Sequence, residues 1–140
     1  MSKKSIKDKP AEPATWNIHG ANVPGDPQRN PPIFSLWHMQ SPYCVKDCQQ
    51  PARAAFATKL RELSQLTWMQ ILEAPRHGSG YEKISRSSMN VRIPANITED
   101  VNIIAFRFCG MAPMIGYRDP FNKSIFHIVW VDPNCKVYNH

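Results

Sequence analysis

No run of apolar residues in this chain approaches the roughly 20 needed to cross a bilayer. No apolar segment follows Lys3, Lys4, Lys7 and Lys9, where a secretory leader would carry one. The expectation from both absences is a soluble protein of the cytoplasm with no membrane partner. Cysteine is scarce too, with 4 in 140 residues. In a reducing compartment these are read as thiols. Cys44 and Cys48 form a single Cys-x3-Cys pair, whereas a structural zinc site usually draws on two such knuckles, and Cys109 and Cys135 lie far apart in sequence. Also missing are a Gly-rich phosphate loop, an HExxH helix, paired carboxylates, a nucleophile elbow and any internal repeat. No metal and no cofactor is therefore expected.

What the chain does have is positive charge. Its 17 Lys and Arg outnumber 11 Asp and Glu, and the net charge of +6 raises encounter rates with polyanions or acidic proteins. The length supports one compact domain. Six of the thirteen prolines fall in residues 1–32, with few apolar residues, and such a stretch buries too little surface to offset its ordering entropy. The expected division is a flexible Pro-rich tail over 1–32, with Trp16 and Ile18 able to dock, and a folded domain over 33–140.

The domain reads as α+β. Ile33 to Gln40 has apolar side chains on both faces, which predicts a central or well-covered strand, ended at Ser41-Pro42. Pro51 opens a helix whose apolar stripe is Ala52, Ala55, Phe56, Lys59, Leu60 and Leu63. A second short helix follows, with Ser64 as its expected cap, Leu66, Met69, Ile71 and Leu72 as its apolar contacts and Pro75 as its stop. The two make a helical hairpin in need of a sheet. A short strand through Tyr81, Lys83 and Ser85 is followed by the polar loop Asn96 to Asp100. Three strands then form an antiparallel meander: Val101 to Cys109, Met114 to Arg118 and Ser124 to Asp132.

Polar groups stand inside these strands. Arg107 lies opposite Phe106 and Phe108, where it either reaches solvent or holds an anion. His127 shares a face with Ile125 and Val129, while Phe126, Ile128 and Trp130 take the other, and its ordinary pKa suits acid–base work near neutrality. Arg76, His77, Lys83 and Arg86 form a second basic group, read either as solvated charge or as part of a phosphate site. Cleaving RNA without metal needs a group to activate the 2′-hydroxyl, another to protonate the leaving oxygen, and cations to stabilise the phosphorane. His, Lys, Arg and Tyr can fill all three roles.

The element order, with FRFCGMAPMIGYR at Phe106 to Arg118 and IFHIVWVDPNCKVYNH at Ile125 to His140, resembles the RelE/ParE superfamily of bacterial toxins, closest to its ParE-like group. The resemblance spans Ile33 to His140 and includes the segment LSQLTWMQI at Leu63 to Ile71. It implies a helical hairpin on a small, mainly antiparallel sheet, and a toxin held inactive by a cognate antitoxin protein. Members resembling RelE cut mRNA on the ribosome with basic residues and a tyrosine, whereas members resembling ParE inhibit DNA gyrase and need no nuclease site. By position Arg107 matches the family's central-strand arginine, Arg118 a basic residue on the next strand and Tyr138 the tyrosine near the C-terminus. The long Pro-rich tail departs from the compact family pattern. The resulting expectation is an endoribonuclease with Arg107, His127 and Tyr138 as catalytic residues and Lys83, Arg86 and Arg118 as RNA-binding residues. The alternatives are a gyrase inhibitor and a non-enzymatic adaptor on the same fold.

Overall fold

The run Ile103-Ile104-Ala105-Phe106-Arg107-Phe108-Cys109 has an apolar residue at nearly every position, so a strand built from it must be covered on both sides. In the computed structural model, which describes residues 26–140, it is the second strand from one edge of a five-stranded mixed sheet. The strands are β1 (Ile33–Ser35), β2 (Tyr81–Ile84), β3 (Ile103–Cys109), β4 (Ala112–Arg118) and β5 (Ile125–Val131), in the order β1-β5-β4-β3-β2. Strands β2 to β5 pair antiparallel, and β1 pairs parallel with β5. The predicted meander lies within two residues of its expected bounds. Trp16 and Ile18 lie outside the described residues.

Helices α1 (Gln50–Leu63) and α2 (Trp68–Glu73) cover one face. Phe56 and Leu63 from α1, with Trp68 and Ile71 from α2, pack against Ile104, Phe106, Met114, Phe126 and Ile128. Phe106, Phe126 and Trp68 meet edge-on or tilted at 5.3 to 6.3 Å between ring centroids, the arrangement the ring quadrupoles favour. The opposite face is covered without a helix. Tyr43, Met89, Val91, Ile93, Ile97, Val137 and Tyr138, all outside the strands, lie over Ile84, Ile103, Ala105, Ile115, Tyr117 and Val129. No helix among the described residues is long and apolar enough to cross a membrane.

Several expectations are corrected. The first strand is neither long nor central: it is three residues at the sheet edge. The Ser35 hydroxyl accepts from the Trp37 amide at 3.3 Å, a local turn that competes with the ladder, and Trp37 is left 87% exposed. The cap of α2 is Thr67, not Ser64. Thr67 and Gln70 exchange side-chain-to-backbone hydrogen bonds in a capping box, while the Ser64 hydroxyl donates to Arg61 O and finishes α1. Starting three residues later turns Trp68 and Ile71 inward and leaves Met69 and Leu72 exposed. Residues Asp26 to Pro32 of the predicted tail are tied to the domain. They form a 3-10 turn capped by Asp26, Asn30 O accepts from the Trp68 amide, and the Asn30 side chain donates to Ser124 Oγ.

Two register shifts matter for the site. Between Ile115 and Gly116 the pairing jumps from Trp130 to Ile128, so β5 carries an extra residue. Alternation is broken there, and Trp130 joins Val129 on the helix-free face, not Phe126 and Ile128 as expected. The second shift lies between Arg107 and Cys109, opposite Pro113 and Ala112. Pro113 has no N–H to give a ladder, and a central strand accepts it where pairing is already irregular. That irregularity sits beside Arg107.

Candidate functional site

Tyr138 follows the last strand and is held by two devices. Asp132, fully buried, accepts from the amides of Lys136 at 2.9 Å and Val137 at 2.8 Å, folding the segment after β5 back on itself. An isolated bridge then pairs Met89 with Tyr138, with Val137 O accepting from the Asn90 amide and Ser88 O from the Asn139 amide. These bonds lay the Tyr138 ring over the helix-free face. Asp132→Ala should cost about 1–3 kcal/mol for the buried Val137 N–H left without a partner, and less for the part-buried Lys136 N–H, read as a lower urea midpoint.

Arg107 points to the same face, because Phe106 and Phe108 take the helical one. It lines a cavity of about 390 Å3 together with Arg76, Glu82, Lys83 and Tyr138. Glu82 and Ile84 project from β2 toward this face, and Lys83 stands exposed on the strand edge. The Tyr138 hydroxyl donates to Glu82 Oε1 at 3.5 Å, and Arg76 Nη1 lies 3.3 Å from Glu82 Oε2. His140 stacks on Tyr138 with 4.3 Å between centroids. Burial, with the Glu82 charge adding to it, pushes the Tyr138 phenol up to about 12. At neutral pH it holds its proton and serves as a donor.

Three of the six residues expected at a site, Lys83, Arg107 and Tyr138, therefore line one cavity, and three stand elsewhere. His127 faces Tyr117 across the β4–β5 ladder, whereas Arg107 faces Pro113. Pro113 and Tyr117 are four residues apart on β4, roughly 13 Å at the rise of a strand, so His127 is out of reach of Arg107. It is bound instead to Asp119 Oδ1 at 2.9 Å, with Tyr117 and His38 each 4.9 Å from its ring. Arg118 projects to the helical face, stacks over Trp68 at 4.0 Å and donates through Nε to Lys123 O. Burial lowers its pKa, against the attraction of Tyr81 and Asp26. Arg86 donates through Nη2 to Ile97 O at 3.1 Å and also to Thr98 O, closing the loop before β3. Its guanidinium is engaged with backbone and does not open on the cavity.

The His127 group supports a pH prediction. Burial and then the neighbouring His127 lower the His38 pKa, against an opposing pull from Asp119. Burial pushes Asp119 up, but hydrogen bonds from His127 and from the Asn122 and Phe121 amides outweigh it and hold the carboxyl below its usual value. A histidine depressed in the folded state resists a proton that the unfolded chain accepts near pH 6.5, so stability falls as pH drops through that value. Asp119 adds a second loss in the same direction, below about pH 4. Thermal melts from pH 7.5 to 5.5 should show falling Tm for the parent and a flatter profile for His38→Gln.

Glu82, Asp132 and His140 carried no sequence signal that separated them from other polar residues. Arg76 did, as part of the basic group after the helices. Among the described residues no group of three or more His, Cys, Asp and Glu is placed to hold a metal ion, and all four cysteines are free thiols. No family model, curated protein or solved structure matches the chain.

Proposed function

We propose that the chain is a cytoplasmic, growth-inhibiting toxin of the RelE/ParE type that cleaves ribosome-bound mRNA without metal or cofactor and is held inactive by a cognate antitoxin protein. The observation that carries this reading is the meeting of Lys83, Arg107 and Tyr138, drawn from positions up to 55 residues apart, around one cavity that also holds Glu82 and Arg76. Two helices on one face of a sheet, a C-terminal meander and a tyrosine-bearing segment after the last strand agree with it.

The cavity residues divide into the roles that phosphodiester cleavage needs. Arg107 offers a planar fork of donors to two phosphate oxygens, and Arg76 and Lys83 add positive charge as the phosphorane forms. Glu82 takes the proton of the 2′-hydroxyl as that oxygen bonds to phosphorus. The bond from phosphorus to the 5′-oxygen breaks, and Tyr138 gives its proton to the departing oxygen. The products are a 2′,3′-cyclic phosphate and a 5′-hydroxyl. Glu82 then returns a proton to Tyr138 across their 3.5 Å contact, restoring both groups.

Primer extension on cellular mRNA after induction tests the reading. A ladder of new 5′ ends within coding regions is expected. Arrested growth with intact transcripts would instead point to the gyrase inhibitor, and undisturbed growth to the adaptor.

A further inference from the structure

Arg107 lines a second cavity besides the one that holds Tyr138, and among the described residues it is the one residue common to both. The second cavity, about 400 Å3, lies between α1 and the β3–β4 turn, with Thr58, Glu62 and His77 on its walls. Its floor is built. Lys59, only 9% exposed although charged, donates from Nζ to Gly78 O at 2.8 Å and fastens the turn after α2 to α1. That fastening sends adjacent residues to different places: Arg76 borders the first cavity and His77 the second.

Each cavity falls in the size range of a small-ligand pocket. A polynucleotide repeats nucleoside, phosphate, nucleoside, and here two cavities meet at an arginine. The guanidinium fork suits the phosphate. The second cavity offers groups suited to a base: an imidazole that can stack, a carboxylate that accepts from an exocyclic amine, and a hydroxyl that both donates and accepts.

We propose that the cavity lined by Thr58, Glu62 and His77 is a nucleoside-binding subsite, and that Arg107 holds the phosphate joining the nucleotide in it to the one in the Tyr138 cavity. The inference rests on the RNA-cleaving reading and adds the footprint: two nucleotides, with the Thr58, Glu62 and His77 groups contributing to sequence preference.

The test is an amide-shift NMR titration of the full chain with deoxynucleoside 3′-monophosphates and with dinucleotides whose missing 2′-hydroxyl prevents cleavage. Dinucleotides should bind about tenfold or more tightly than monophosphates, the gain of one stacked base. They alone should move the amides of Thr58, Glu62 and Gly78. His77→Ala should remove that gain and leave monophosphate affinity unchanged. Monophosphate binding at the Tyr138 cavity with no gain from the second nucleotide overturns the subsite and leaves the first cavity's role standing, as does a gain that persists in His77→Ala. No binding of either probe overturns both.

Discussion

Arg107→Ala is expected to abolish growth inhibition and to lower the rate of RNA cleavage by about 10²–10³-fold, the loss typical of removing one donor aimed at developing transition-state charge. The fold should survive. Arg107 is half-buried, and among the described residues its side chain forms no hydrogen bond or ion pair, so truncation leaves no polar group orphaned. Melting temperature is the control, and a change within the small range of surface substitutions is expected. Arg107→Lys separates charge from geometry: it keeps the positive charge but loses the two-pronged fork, and should recover only part of the activity. A fully active Arg107→Ala protein would remove the arginine from the proposed chemistry.

The largest stability effect is expected at Gly116. A Cβ there would stand 1.8 Å from His127 O and 2.9 Å from His127 C, on backbone that belongs to the centre of the sheet. Nothing flexible can move aside. Gly116 also sits at the shift where β5 carries its extra residue, so room for a side chain would require redrawing the β4–β5 pairing and the Asp119–His127 contact beside it. Gly116→Val should cost more than about 4 kcal/mol, in the exceptional range for single substitutions, and be recovered largely as unfolded or aggregated chain. Circular dichroism after expression at low temperature decides it. A folded, cooperative Gly116→Val protein would show that the close approach is not a constraint.

These two positions differ in how far the sequence revealed them. Arg107 stood out in the sequence, because a guanidinium between Phe106 and Phe108 in a strand needs a reason, and the resemblance implies a functional arginine at that position. Tyr138 was singled out through the resemblance alone. Its positioning was not, since it depends on Asp132 reaching two amides four and five residues ahead, a contact that no spacing rule announces. Strand alternation assigns a residue to a face and says nothing of distance along the neighbouring strand. It put His127 on a face with Ile125 and Val129, and could not show that the register sets His127 and Arg107 four residues apart on β4. Arg118 stands apart from Arg107 for the complementary reason: it lies on the helical face, where its guanidinium stacks over the Trp68 ring. The bulge opposite Gly116 reversed the expected side of Trp130, and a local serine turn shortened the first strand. Hydrophobic periodicity encodes neither.

Glu82 shows the other limit of the sequence. An isolated glutamate on an edge strand looks like ordinary solvated charge, and it gains meaning only when Tyr138 and Arg76 meet it across the fold. In the proposed chemistry that meeting supplies proton acceptor, proton donor and cation at one place. The most direct measurement uses purified full-length chain, translating ribosomes and a defined mRNA, made once as all-RNA and once with 2′-deoxy nucleotides at the mapped cut positions. The account predicts that the all-RNA message is cut to a 2′,3′-cyclic phosphate and a 5′-hydroxyl, seen by mass spectrometry, and that the deoxy-substituted message stays intact. An uncut all-RNA message, or cleavage that continues at the deoxy positions, would contradict it.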